Sequence, residues 1–279
     1  MSIPVTILSR RFHNCLDFKE FLTQFNYKDK EIDLISDLFI EVIKFSRLQI
    51  LCVDEVKPTN NTLVKLILSK IPKALSENRF IRILTLNRSY CNDISVILKS
   101  LIHHPNLISL DITKIKNIKS DFSKSLNEYL SQNKSLLKLN LFGNDFSSDD
   151  TYEIFSGLSR NTNLKQLFYS NNKVNNYDCK YISGMLSINK SLVLLCIDNT
   201  QIGNKGFEYI QQGLLINNCL LRISLLKNEI TNNIYEKLCE LLDRNKTLKL
   251  IDISNNVNLS FENVQKNYLN SNYINRVSF

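Results

Sequence analysis

The sequence predicts an α/β solenoid, a curved horseshoe of strand–helix units with parallel strands on the concave face and helices on the convex face. Five segments, which begin at Leu136, Leu164, Leu192, Leu220 and Leu248, follow one another at a step of 28 residues, and a fixed period is typical of repeat architectures. Aliphatic residues at positions 4 and 6 of each segment alternate with their neighbours, as a half-buried strand requires. Apolar residues spaced by three and four then predict an amphipathic helix.

Weaker copies of the unit extend the array towards both termini. Two begin at Ile81 and Leu107, a still weaker one begins at Leu48, and a truncated copy with Ile274 and Val277 ends the chain. The sequence therefore predicts about eight repeats and nine strands in one sheet.

The strand segments resemble leucine-rich repeats. Their pattern L-x-x-L-x-L-x-x-N carries its asparagine at Asn144, Asn172, Asn228 and Asn256, where the amide can bond the backbone of the adjoining turn. A 28-residue strand–helix unit resembles the ribonuclease-inhibitor-like subfamily of leucine-rich repeat proteins. The resemblance covers residues 48–279 and implies the solenoid fold, but little about function, because that family binds many unrelated partners.

A second periodic asparagine closes each predicted helix. Asparagine tolerates the left-handed backbone conformation that ends many helices, so we expect that conformation at these positions. They are Asn78, Asn133, Asn161, Asn189, Asn217 and Asn245, with His104 in the same place once.

The segments outside the repeat are predicted to cap the array, because a solenoid exposes an apolar cross-section at each end. Helices are expected over Leu16 to Phe25 and over Glu31 to Phe45 before the repeats, and near Phe261 to Leu269 after them. We divide one continuous structural domain into three parts: an N-terminal cap at 1–47, the repeats at 48–258 and a C-terminal cap at 259–279.

Composition excludes several classes of protein. Hydrophobic residues make up 43% of the chain and charged residues 22%, with a net charge of +8, which is ordinary for a folded protein. No apolar run approaches the roughly 18 residues that span a bilayer, and the N-terminus does not resemble a secretory signal. Seven cysteines without a Cys-x-x-Cys pair and three histidines predict reduced thiols in the cytoplasm, with no metal and no cofactor.

The concave face is the predicted binding surface, since strand positions 3, 5 and 7 point away from the core. Large side chains with a polar rim are typical of the centre of a protein interface. Single exposed apolar residues are also common on surfaces without any partner. The candidate anchors are Phe142, Phe168 and Leu194 on one diagonal, extended by Leu226 and Leu250, with Asp198, Arg222 and Lys138 as the rim.

A lysine cluster follows the third predicted strand. Lys114, Lys116 and Lys119, with Arg88 in the preceding loop, are candidates for weak contact with an anionic surface. The alternative is a solvated loop. Nucleic acid is not the expected partner, because no nucleic-acid-binding module is present.

No nucleophile elbow, zincin motif or phosphate-binding loop occurs in the sequence, so we predict that the protein is not an enzyme. One motif pair resembles the thiol–carboxylate motif of bacterial leucine-rich repeat ubiquitin ligases: Cys52-Val-Asp54 and Cys196-Ile-Asp198. Those enzymes carry the motif on a separate helical domain, and a nearby carboxylate raises a thiol's pKa. Ubiquitin transfer remains a distant alternative.

The sequence therefore predicts a non-enzymatic scaffold that binds a protein partner on its concave face. A cytosolic inhibitor or regulator that acts by covering an enzyme's surface is the alternative. Chains rich in Asn, Lys and Ile with such repeats resemble effectors that intracellular bacteria deliver into host cells. They also resemble cytosolic proteins of protists with AT-rich genomes.

Overall fold

The predicted α/β solenoid is confirmed. The computed structural model describes residues 15–23, 32–45, 47–53, 62–87, 94–115, 118, 121–256, 259 and 275–278 of the 279-residue chain. Ten strands in these residues form one parallel sheet whose spatial order is the order of the chain. Helices follow each of the first eight strands, so the chain coils in one direction from its first strand to its last, as a leucine-rich-repeat-type fold does.

The strands are short and are joined by longer helices. In chain order the strands are β1 Cys15–Asp17, β2 Ile50–Cys52, β3 Ile83–Thr85, β4 Ser109–Asp111, β5 Lys138–Asn140, β6 Gln166–Phe168, β7 Leu194–Cys196, β8 Arg222–Ser224, β9 Leu250–Asp252 and β10 Val277–Ser278. The helices are α1 Phe18–Thr23, α2 Ile32–Phe45, α3 Thr62–Glu77, α4 Ile94–Leu101, α5 Asp121–Gln132, α6 Ser148–Arg160, α7 Cys179–Ile188, α8 Asn204–Ile216 and α9 Tyr235–Arg244.

The register of the sheet keeps equivalent residues of successive repeats side by side. Leu139 lies beside Leu167, Leu195, Ile223 and Ile251 on five neighbouring strands. All five side chains are buried, so the central residue of each strand contributes to one continuous apolar column. The column explains the strict period, because inserting one residue would turn the column outwards.

The first strand corrects the prediction for the N-terminal segment. Instead of a helix from Leu16, residues Cys15–Asp17 form β1, and Leu16 lies beside Leu51 of β2. The helix begins only at Phe18, where the Asp17 side chain accepts a hydrogen bond from the Glu20 amide at 2.8 Å. The described sheet thus has ten strands, not nine, because Cys15–Asp17 pairs with the edge of β2 and buries Leu16 beside Leu51.

The proposed division into two caps and a repeat region stays a prediction. The expected second helix of the N-terminal cap is present as α2, Ile32–Phe45. The expected C-terminal helix near Phe261 to Leu269 lies outside the described residues.

The periodic asparagines at the helix ends connect successive coils. The buried Asn189 amide donates to the carbonyls of Leu158 and Asn161 at 2.8 and 2.9 Å, and its oxygen accepts from the backbone amides of Ser191 and Leu192. Each such side chain therefore satisfies the carbonyls of the preceding helix end and positions the start of the next strand. The same donor and acceptor pattern recurs at Asn133, Asn161, Asn217 and Asn245.

The predicted left-handed conformation of these asparagines is wrong. The backbone of Asn189 is extended, with φ −67° and ψ 131°, since only an extended residue lets the side chain reach back to the previous coil. Left-handed residues occur instead at position 8, after the strands, at Gly143, Asn171 and Asn199 among others. The asparagines at position 8 are therefore left-handed, whereas Asn189 at a helix end is extended.

The position-9 asparagines bond the backbone as predicted. Asn172 donates to the carbonyls of Leu141 and Tyr169 at 3.0 and 2.8 Å, and Asn256 bonds Leu225 and Ile253 in the same way. Both ends of a coil are therefore held to the preceding coil by buried amides.

Glycine allows close contact between α5 and α6. A Cβ atom on Gly157 of α6 would lie 2.8 Å from the Asn127 Cα atom of α5, a distance that requires the backbone to move. Gly184 of α7, by contrast, has nothing within 4 Å of such an atom.

We expect Gly157→Ala to lower the free energy of unfolding by about 1–3 kcal/mol, because the added methyl group overpacks the helix contact. Gly184→Ala is the matched control and should raise it by about 0.5–1 kcal/mol through helix propensity. Urea unfolding followed by circular dichroism measures both. Equal effects of the two substitutions would contradict the close approach of α5 and α6.

His104 replaces asparagine once in the series at the helix ends. Its Nδ1 atom accepts from the Leu107 amide at 3.1 Å, as the asparagine oxygen does elsewhere. Its buried Nε2 atom has no hydrogen-bond partner. Burial, and then the Arg79 guanidinium, lower the pKa of His104 below its usual range.

We expect His104→Asn to raise the free energy of unfolding by about 1 kcal/mol at pH 8, because the substitution removes a buried Nε2–H group without an acceptor and places there an amide that can donate to the preceding coil, as Asn133 does. The wild-type protein should also lose stability as pH falls through about 6.5, since the unfolded chain then binds a proton that the folded state disfavours. The variant should lack that part of the loss.

The neighbouring exposed His103 provides the control for His104. His103→Asn should change stability by less than about 0.5 kcal/mol. Thermal unfolding between pH 5 and pH 8 separates the two variants (about the range in which histidine titrates), and an identical acid response of wild type and His104→Asn would contradict the role assigned to His104.

Candidate functional site

Each strand of the sheet buries its central residue and leaves the two flanking residues open. The pattern holds from β2 to β9, in which the flanking side chains are half-buried or exposed. The alternation of a strand produces this result once one face of the sheet packs on the helices. The open face therefore consists of rows of side chains, one from each coil.

The register defines two of these rows on the candidate surface. The position-3 row runs through Lys138, Gln166, Leu194, Arg222 and Leu250. The position-5 row runs through Asn140, Phe168, Cys196, Ser224 and Asp252. Position 7 adds Phe142, Ser170, Asp198 and Leu226 at the carboxyl-terminal side of the strands.

A depression of about 550 Å³ lies on this face, and we call it the concave depression. Phe142, Phe168, Asp198 and Leu226 of the predicted site all line it. Leu194, Leu250, Arg222 and Lys138 are not among its lining residues. The structure thus brings together two of the three expected anchors, and the binding role of the whole set remains a prediction.

Two lysines cover the aromatic anchors. The Lys114 Nζ atom lies 5.5 Å from the centre of the Phe142 ring, and the Lys138 Nζ atom lies 5.3 Å from the centre of the Phe168 ring. An ammonium group over an aromatic face is attracted by the ring's quadrupole, by about 0.5–1 kcal/mol at an exposed site. Both half-buried rings consequently lie beside an ammonium group on the open face.

Asp198 lies within a hydrogen-bond network of the sheet. Its carboxylate accepts from the Ser170 hydroxyl at 3.1 Å, from the Leu226 amide at 3.0 Å and from the Ser224 hydroxyl. Three consecutive coils therefore share one carboxylate, which makes it a rigid part of the wall. The sequence contained a signal for this network, because the two serines lie 28 residues before and 26 residues after Asp198.

Position 8 supplies lining residues that the sequence analysis missed. Asn171, Asn199 and Lys227 line the concave depression, and all three have left-handed backbones, with φ between 51° and 58°. Their amides still bond the next coil, for example from Asn171 to the Asp198 carbonyl at 2.9 Å. A glycine or asparagine directly before the position-9 asparagine could have indicated a left-handed residue at position 8, since both residue types tolerate this conformation.

The predicted lysine cluster is described only in part. Lys114 is exposed and lies over Phe142, which associates it with the concave depression. Lys116, Lys119 and Arg88 lie outside the described residues. Contact of this cluster with an anionic surface therefore stays a prediction.

The thiol of Cys196 faces the concave depression. Burial, and then the carboxylates of Asp198 and Asp252, raise its pKa to about 11. A nucleophilic thiol needs a lowered pKa, so this environment opposes the chemistry of the ubiquitin-ligase alternative. Asp54 of the other motif, Cys52-Val-Asp54, lies outside the described residues.

Neither a metal site nor a membrane-spanning helix occurs in the part of the chain that the structure describes. No group of three histidine, cysteine, aspartate or glutamate side chains there could hold a metal ion. No helix in the same residues has the length and apolar character needed to cross a membrane.

We expect Cys196 to react with iodoacetamide at pH 7.5 at least about tenfold more slowly in the folded protein than in urea, because the thiolate is the reactive form. Asp198→Asn keeps an acceptor oxygen, lowers the pKa of Cys196 and should accelerate the reaction. Peptide mass spectrometry follows this cysteine separately from the other six. Faster reaction in the folded protein than in urea would contradict the raised pKa.

Comparisons with known proteins found similarity at the level of solved structures. No family model matches the chain, and no curated protein matches it. A leiomodin-1 structure described as actin-binding site 2 is 24% identical over 42% of this chain, with a TM-score of 0.38, and the match spans 65% of that chain, a little less than two thirds of its length. A tropomodulin C-terminal domain from Caenorhabditis elegans is 18% identical over 53% of this chain and 92% of its own, with a TM-score of 0.44.

Proposed function

We propose that this protein is a non-enzymatic scaffold that binds a protein partner in the concave depression. The observation that carries the proposal is the pair of half-buried rings, Phe142 just after β5 and Phe168 on β6, beside an Asp198 carboxylate that is already hydrogen-bonded. Large apolar side chains in such a setting contribute most of the binding energy at protein interfaces. A rigid wall also loses little conformational entropy when it binds.

Charge around the depression indicates how a partner is oriented. Lys114, Lys138 and Lys227 surround the two rings, while the Asp198 carboxylate is engaged by its neighbours in the sheet. A partner that places an apolar side chain between the rings and carboxylates at the lysines fits this arrangement. Arg222, Leu194 and Leu250 extend the surface along the position-3 row for a larger partner.

The finer features of the proposal rest on the sequence, namely on its resemblances and, for the location, on its free cysteines. They are membership of the ribonuclease-inhibitor-like subfamily, a cytoplasmic location and a role as an effector delivered into a host cell. The high pKa of Cys196 supports the non-enzymatic interpretation over ubiquitin transfer.

We expect Phe142→Ala combined with Phe168→Ala to abolish retention of a partner that wild type captures stoichiometrically from a eukaryotic lysate, because both anchors are removed. The matched control is Tyr152→Ala with Tyr181→Ala, which removes an exposed aromatic pair from the helices, with ring centres 5.2 Å apart. The control should retain the partner.

Isothermal titration with the purified partner provides the quantitative measurement. A loss of affinity of about 100-fold or more corresponds to two interface anchors of about 1.5 kcal/mol each. Equal affinity of wild type and the phenylalanine variant would refute the concave depression as the binding site. Modification of captured proteins without stable binding would favour an enzyme instead.

A further inference from the structure

The edge of the solenoid where helices end and strands begin is strongly basic, and we call its loops the basic edge. The loops comprise residues 47–49, 78–82, 102–108, 133–137, 161–165, 189–193, 217–221 and 245–249. Directly after the helices the charged residues are Arg79, Lys134, Lys190 and Lys246, and closer to the strands they are Arg47, Arg82, Lys165 and Lys249. All eight are exposed, and these loops contain no aspartate or glutamate.

The charges of the basic edge are not neutralised within the described part of the protein. None of the described ion pairs involves any of the eight residues. The last helical turns nearby add Lys44, Lys99, Arg160 and Arg244 against Glu77 and Asp243. Two of these cations are ion-paired, Lys44 with Glu77 at 3.1 Å and Arg244 with Glu240 at 2.9 Å. The edge therefore presents a positive potential towards solvent.

Helix polarity explains only part of this charge. Cations near helix ends are favoured by the helix dipole, which accounts for lysines placed directly after the helices. The helix-end carbonyls, however, are already bonded by the asparagine amides, for example Leu158 by Asn189. Arg82 and Lys165 lie further along the chain, beside the strands, where the dipole no longer requires a cation.

Exposed aliphatic side chains are interleaved with the cations. At position 2 of successive coils the residues are Arg82, Ile108, Leu137, Lys165, Val193, Leu221 and Lys249, a row that spans about 30 Å at the usual strand spacing. Leu137 and Leu221 are 40% and 37% exposed. Ile188 and Ile216, at the ends of α7 and α8, are 62% and 67% exposed on the same edge.

A second depression, of about 470 Å³, lies at the N-terminal part of this edge. Arg47, Arg79 and Arg82 line it together with Phe80, Asn106 and Ser135. Guanidinium groups bind phosphate oxygens in pairs of parallel hydrogen bonds. The depression thus combines three potential phosphate ligands with one exposed aromatic ring, which is 47% accessible.

We propose that the basic edge docks this protein on the surface of an anionic lipid bilayer, with a headgroup phosphate in the arginine-lined depression. Cations attract anionic headgroups over the length of the row, while Leu137, Leu221, Ile188 and Ile216 enter the boundary between headgroups and acyl chains. A nucleic acid would bind the cations but offers little to aliphatic side chains, since its bases stack on aromatic rings. The aliphatic residues therefore favour a membrane.

Flotation with vesicles of phosphatidylcholine containing about 30% phosphatidylserine, an anionic lipid of cytoplasmic leaflets, tests the proposal. Wild type should float with these vesicles at low salt and not with pure phosphatidylcholine. Arg82→Glu combined with Lys165→Glu should lower the partition coefficient about 30-fold or more, since each cation near the surface contributes about fivefold. Lys124→Glu with Lys180→Glu, at the opposite edge where helices begin, is the control of equal charge change.

A second variant separates apolar insertion from charge. Leu137→Ser with Leu221→Ser changes no charge and should lower vesicle binding about tenfold, while binding to a single-stranded oligonucleotide should be unaffected. Circular dichroism and thermal unfolding verify that each variant is folded. Phe142→Ala with Phe168→Ala should float like wild type, which keeps this test independent of the concave depression.

Three outcomes would overturn the proposal. Wild type that does not float with anionic vesicles has no such surface. Equal losses of vesicle binding for the basic-edge variant and the opposite-edge control would show that binding depends only on the net charge of the protein. Oligonucleotide binding that displaces the vesicles and is unchanged in the serine variant would assign the basic edge to nucleic acid.

Discussion

The side-chain amides that bridge successive coils are the interaction on which the rest of this structure depends. Every helix that ends at the basic edge leaves carbonyls without an intrahelical partner, and burying them unpaired would cost about 1–3 kcal/mol each. The next coil supplies the donor, as Asn189 does for Leu158 and Asn161. One coil is thus incomplete without its successor, which explains why the unit occurs only as an array.

The same requirement is met differently in the last described coil. No helix-end asparagine follows β9 among the described residues, yet the carbonyls of Leu242, Asn245 and Leu248 are bonded. Arg276 donates to all three, at 2.7, 2.6 and 2.7 Å. A guanidinium group with five donors replaces the amide there, so the residue before β10 bonds the carbonyls of the preceding coil.

Because these hydrogen bonds hold the coils together, the outward strand positions are not needed for the core. Phe142 and Phe168 have no role in the core and are held only by neighbouring strands and by Lys114 and Lys138. The raised pKa of Cys196 has its main cause in burial within the same wall, and the nearby carboxylates of Asp198 and Asp252 add to it. This environment opposes formation of a reactive thiolate at Cys196.

The two proposed surfaces lie at opposite ends of the strands. The concave depression is formed by residues at positions 5 to 8, towards the carboxyl ends, whereas the basic edge precedes position 3. Docking on a bilayer through the basic edge would leave the concave depression open to a protein partner. The repeat keeps the two surfaces apart, because residues at the same position of successive units lie along the same edge of the sheet.

The sequence by itself determined the fold class, the strand register and the faces of the helices, because a 28-residue period of aliphatic residues admits one way of stacking coils. It also identified Phe142, Phe168, Leu226 and Asp198 as outward residues. Only the tertiary structure decided that Cys15–Asp17 adds a strand, that the helix-end asparagines are extended, and that Leu194 lies apart from the depression. Those features depend on which polar groups and which surfaces of a neighbouring coil lack a partner. The residue pattern of a single coil does not specify its contacts with the next coil.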